Sequence, residues 1–122
     1  MSVEALLKRF FKIVTVGCLW MYVIAALAKG PTYAYDIRKR IKEIFGFAPS
    51  TITLYVVVYN LRRLGLIKVV SEEPKIYAVT DKGINILNKA INYLEVNLSK
   101  MKNLVLEVSN GENKSSGDRP SS

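Results

Sequence analysis

The polar side chains best placed for chemistry in this sequence fall between Ser50 and Lys75, and their chemistry is contact with a polyanion. Ser50, Thr51 and Thr53 set three hydroxyls at the start of one segment. At the first turn of a helix, hydroxyls and free backbone amides hold phosphate oxygens. Tyr55, Tyr59, Asn60 and Arg63 follow; Asn can pair with adenine and Arg with guanine. Lys68 and Lys75 come next as point charges. Covalent chemistry has far less to work with. The chain has no histidine, which excludes Ser–His–Asp triads and His metal sites. Its single cysteine, Cys18, excludes an intrachain disulfide and a thiolate cluster, and fits a reducing, cytoplasmic compartment. No glycine-rich phosphate loop occurs. Binding is expected, with no enzymatic activity and no cofactor.

The charge points to the same stretch. Eighteen Lys and Arg against ten Asp and Glu give net +8 over 122 residues. Residues 29–82 alone carry net +5. A basic excess of this size suits nucleic acid or an anionic membrane, and its position makes residues 29–82 the expected binding core.

Three elements must position these side chains. From Ile13 to Ala28 run sixteen uncharged residues. They can be read as a membrane span, though about 24 Å of helix is short for a core of about 30 Å. They can be read as a signal peptide, with Ala26-Leu27-Ala28 as its cleavage site. They can also be read as a buried helix. Gly30-Pro31 ends the run, and the segments beyond it need a helix to pack against. This favours the buried helix and no membrane partner.

Residues Thr32 to Phe45 then show helical spacing through Ile37, Ile41, Ile44 and Phe45, with Arg38, Lys39, Arg40 and Lys42 on the solvated face. Gly46 stops the helix, and Ser50 is suited to cap the next. From Thr51 to Leu64 local propensity favours a strand, since Val56-Val57-Val58-Tyr59 is β-branched and aromatic. The helical wheel decides otherwise. Leu54, Val57, Val58, Leu61 and Leu64 share one face, and Ile52, Val56, Tyr59, Asn60 and Arg63 share the other. Two helices joined by a short turn are a helix–turn–helix. Leu66–Ser71 and Lys75–Thr80 alternate about a turn at Glu72-Glu73-Pro74, forming a hairpin wing over 67–80.

These residues resemble the PadR-type transcriptional regulators. The resemblance lies in Leu27-Ala28-Lys29-Gly30-Pro31 with Tyr35-Asp36-Ile37, in Thr53-Leu54-Tyr55 with Gly65-Leu66-Ile67, and in Tyr77-Ala78-Val79-Thr80-Asp81-Lys82-Gly83. It covers roughly residues 20 to 88. Ala34 and Ile52 stand where the family usually has Gly, and Val56 where it usually has Pro. The resemblance implies a dimeric repressor relieved by small aromatic or drug-like ligands. Trp20 could stack on such a ligand at a dimer cleft, although a core Trp is the simpler reading.

Residues 81–108 read as one helix. Ile84, Leu87, Ile91, Leu94, Leu98, Met101 and Val105 are spaced alternately by 3 and 4, an a/d seam. Leu87, Ile91, Leu94, Leu98, Met101 and Val105 are therefore the expected dimer contacts, with Phe10, Phe11, Leu19, Trp20 and Val23 of the apolar N-terminal helix packing beside them. Residues 109–122 have the composition of a disordered tail. The expected fold is mainly α (α+β): a winged helix–turn–helix domain over 1–108, with an N-terminal apolar helix and a long C-terminal dimerisation helix. The expected function is sequence-specific binding of double-stranded DNA by a homodimer. The alternative is a non-specific chromatin-type architectural protein of the same fold.

Overall fold

The structure, a computed structural model, describes residues 1–117, with side chains as far as Gly111. Its helices are α1 (Val3–Val14), α2 (Leu19–Leu27), α3 (Ala34–Phe45), α4 (Thr51–Arg63) and α5 (Asp81–Gly117). Strands β1 (Ile67–Glu72) and β2 (Lys75–Val79) form an antiparallel hairpin between α4 and α5. This is the expected winged helix–turn–helix.

The core forms where the apolar faces of α2, α3 and α4 meet. Leu19, Val23, Ile24 and Leu27 of α2 meet Ile37 and Ile41 of α3 and Leu54, Val58 and Leu61 of α4, all buried. Each such side chain contributes about 1.5–3 kcal/mol when fully buried. This tertiary gain overrides the strand propensity of the Val56–Tyr59 run. Ile44, Phe45 and Leu64 were expected on buried faces but are half exposed. They sit in the last turn of α3 or just after α4, where the neighbouring helices no longer cover them. Phe45 instead packs edge-on against Tyr22, which also meets Phe47.

Residues Val3–Leu27 are together long and apolar enough to cross a membrane, by length and composition alone. They are not one uninterrupted α-helix. The Thr15 hydroxyl donates to the Phe11 carbonyl at 2.6 Å, and a short 3-10 turn, Val16–Cys18, follows. Back-bonding of this kind bends helices. The two halves then differ in environment: α2 is the central core helix, whereas α1 buries no residue.

The hairpin is joined to the helices on both sides. Thr32 pairs with Tyr77 through both backbone bonds, at 3.0 and 2.8 Å, so the segment before α3 extends the sheet by one residue. Thr80 donates to the Gly65 carbonyl at 2.7 Å and caps α5 by accepting from the Gly83 amide at 3.1 Å. A Cβ on Gly83 would collide with the Leu66 carbonyl, which explains a glycine inside the first turn of α5.

The chain divides into two compact units, Met1–Leu87 and Asn88–Ser122. The heptad seam is divided with it. Leu87, expected in the dimer seam, is buried in the core of the first unit, and Ile84 packs against that core. The remaining seam residues, Ile91, Leu94, Leu98, Met101 and Val105, are exposed along α5. Phe10 and Phe11 of α1 are likewise more than half exposed. The helix also continues to Gly117, so residues 109–117 are helical where a disordered tail was expected. Once a helix is nucleated, each added residue brings one backbone hydrogen bond, so it extends beyond its apolar seam. The part of that expectation on residues 118–122 lies outside the described residues.

Candidate nucleic-acid interface

The geometry of α4 is set at its N-terminus. Gly46 takes a left-handed conformation (φ 83°) that ends α3. The Arg38 guanidinium then donates through Nε to the Pro49 carbonyl at 2.7 Å, which pins the connecting turn. Ser50 caps α4. Its Oγ accepts from the Thr53 amide at 3.1 Å and donates to Thr53 Oγ1 at 2.8 Å. Ser50 and Thr53 therefore already bond to one another, while Thr51 and Ile52 are exposed beside them.

Three buried side chains, Leu54, Val58 and Leu61, fix which face of α4 points inward. At 100° per residue, the direction opposite them passes through Ile52, Val56, Tyr59 and Arg63. All four are exposed. Asn60 and Tyr55 sit at the two edges of this outward face. Asn60 lines an open apolar groove of about 390 Å³ with Trp20, Val57 and Leu64. Tyr55 lines a second groove of about 440 Å³ with Tyr33, Tyr35, Pro74, Lys75 and Tyr77. Burial pushes the Tyr77 phenol up from its ordinary pKa, so it stays uncharged at neutral pH.

The wing carries both predicted lysines on its surface. Lys68 lies opposite Ala78 in the hairpin register. Lys75 lies opposite Glu72 and contacts its carboxylate at 3.9 Å, with both side chains largely exposed. An exposed pair at that distance is weak, so Lys75 can exchange Glu72 for a phosphate at little cost.

The basic residues of α3 are not a uniform solvated face. Arg40 bonds the carbonyls of Ala26 and Gly30, at 3.0 and 2.7 Å, and pairs with Asp36 at 3.0 Å. Asp36 in turn accepts from the Thr32 hydroxyl at 2.9 Å. Arg40 thus holds the turn before α3, and Arg38 the turn after it. Lys39 and Lys42 are exposed.

The structure brings Ser50, Thr51, Thr53, Tyr55, Tyr59, Asn60, Arg63, Lys68 and Lys75 together on α4 and the adjoining wing, all within the first unit. Sequence reasoning missed Tyr33 and Tyr35. Their signal was present: they flank Ala34, which is buried, so both face outward at the start of α3. Among the described residues no three His, Cys, Asp or Glu side chains gather as a metal site.

Comparison with known proteins gives this arrangement a family. Residues 23–89 match the model of the transcriptional regulator PadR-like family. No curated protein matches the sequence. Among solved structures, the chain is similar to a PadR family transcriptional regulator from Eggerthella lenta, with a TM-score of 0.69 and 22% identity over 84% of this chain and 94% of that one. It is also similar to a PadR-like transcription factor from Bacteroides fragilis, with a TM-score of 0.57 and 25% identity over 84% and 97%. A transcriptional regulator from Clostridium thermocellum aligns with a TM-score of 0.63 and 23% identity over 73% and 94%.

Proposed function

The chain belongs to the PadR-like family of DNA-binding transcriptional regulators, and from that premise we propose that it is a homodimeric, sequence-specific, cytoplasmic repressor. In this reading α4 enters the major groove and the wing lies on the backbone. The observation that carries it is the outward face of α4, where Ile52, Val56, Tyr59 and Arg63 are exposed after the Ser50 cap, with Lys68 and Lys75 exposed on the adjoining hairpin.

Each part has a distinct task. Tyr59 and Arg63 reach base edges, and Asn60 approaches from the rim. Thr51 and the first-turn amides hold a phosphate, with Ser50 and Thr53 fixing the turn. Lys68, Lys75 and Tyr55 neutralise or bond the flanking backbone, which sets register without reading sequence.

Dimerisation supplies the second half-site. Five exposed seam residues, Ile91, Leu94, Leu98, Met101 and Val105, would pack against a second copy. Their burial contributes on the order of 8–15 kcal/mol gross, against an association cost of about 4–15 kcal/mol. The seam alone is therefore marginal, and α1 leaves further apolar surface exposed at Leu6, Leu7, Phe10 and Phe11. A small aromatic effector would seat in the groove beside Trp20, where it touches α4 through Asn60 and Val57.

Competition binding tests the reading. A duplex from the neighbourhood of the protein's own gene should displace a labelled copy of itself far better than random-sequence DNA. Equal competition by random DNA would instead identify a non-specific architectural protein.

A further inference from the structure

We propose that this protein reads thymine, through the C5-methyl groups that Ile52 and Val56 meet in the major groove. The inference deepens the DNA-reading role assigned to α4 above and rests on it. Ile52 is 78% exposed and Val56 55% exposed. Both lie at the centre of the face opposite buried Leu54, Val58 and Leu61. No part of the first unit covers them.

The chemistry of the helix narrows what they can meet. From Thr51 to Leu61 there is no charged side chain. Guanine is read best by Arg or Lys, and cytosine by a carboxylate acceptor. The first eleven residues of α4 offer neither. Among the four bases, only thymine presents an apolar group on its major-groove edge. A β-branched side chain suits that contact, because its χ1 is already restricted and little rotamer freedom is lost on burial. Ile52 and Val56 are one turn apart, about 6 Å along the helix. That separation matches roughly two base steps at about 3.4 Å each. A thymine-containing step near the centre of each half-site is the expected ligand.

The charges nearby favour DNA over a second copy of the chain as the occupant of this face. Arg62, Arg63, Lys68 and Lys75 outnumber Glu72 and Glu73 in α4 and the wing, so this part of the chain is net positive. A second copy would bring the same charges against them, whereas the phosphate rims of the major groove bring the opposite sign.

Deoxyuridine is the direct probe, since it keeps every hydrogen-bonding group of thymine and lacks only the methyl. Binding sites would be selected from a random duplex pool with the full chain. The selected duplex would then be remade with deoxyuridine replacing thymidine one position at a time. Affinity should fall about fourfold for each contacted methyl lost, and not at thymines outside the half-site centres. Ile52→Ala should abolish the penalty at one position and Val56→Ala at its neighbour about two steps away. Thermal unfolding of both variants should be unchanged, as their side chains are exposed. Equal binding of the thymine and uracil duplexes, each still far tighter than random DNA, would overturn the methyl contact and leave sequence-specific reading intact. Failure of any sequence to be enriched would overturn both. The uracil series on the unaltered protein decides the matter even if a variant folds poorly.

Discussion

Several helices in this molecule leave apolar side chains in solvent, and α4 and α5 do so in different ways. On α4, Ile52 and Val56 are two exposed β-branched residues on the same face as Tyr59 and Arg63. On α5 beyond Leu87, exposed apolar residues recur at heptad spacing for three turns and more. An exposed apolar residue needs no explanation by itself, since much of any protein surface is apolar. Its surroundings give it meaning. A repeating stripe matches another stripe of the same period, and so suits a second copy. A pair of methyl-bearing side chains on a helix whose last turn and adjoining wing carry cations suits a groove that is apolar at one point and anionic at its rims.

The contrast can be broken most forcefully on α5. Leu94→Glu with Leu98→Glu should convert a dimer to a monomer, as read by sedimentation. Loss of the second half-site should weaken DNA binding on the order of 100-fold or more. The double variant should still unfold cooperatively, because both residues lie outside the core of the first unit.

On α4 the two faces should respond oppositely. Leu54→Ala empties a position that is 1% exposed and should cost about 2–5 kcal/mol in chemical denaturation. Ile52→Ala, one turn edge away, should change stability by less than about 0.5 kcal/mol. A large loss of stability for Ile52→Ala would mean that its side chain is covered and not free for DNA.

The smaller effects separate base reading from backbone contact. Arg63→Ala should cost about 1–3 kcal/mol in binding to the selected site and relax preference at one base pair. Lys68→Ala should weaken all duplexes alike and lower the slope of log affinity against log salt by about one. A uniform, sequence-independent loss on Arg63→Ala would move that side chain from base edge to phosphate.

Much of this architecture was legible in the sequence, because periodicity shows which side of a helix is apolar. The wheel over Thr51–Leu64 outweighed strand propensity, and the structure agrees that it is a helix. Periodicity does not show what covers an apolar side. Leu87 fits the a/d spacing as well as Leu94 does, yet the first belongs to the domain core and the second is exposed. Arginine is hard to place for a related reason. Arg38 and Arg40 have long side chains that reach backbone carbonyls eleven and fourteen residues away, at Pro49 and Ala26. Nothing in local spacing announces such contacts. Thr15 gave only a weak signal for the break in the N-terminal helix, since a threonine hydroxyl can bond back within a helix without ending it.

The central claim is that two winged helices in one dimer read two copies of a sequence. Hydroxyl-radical footprinting on the selected duplex tests it most directly. The expected pattern is two protected half-sites related by a palindrome, on one face of the DNA and about one helical turn apart. Even protection along any duplex, with no boundary and no repeat, would contradict it.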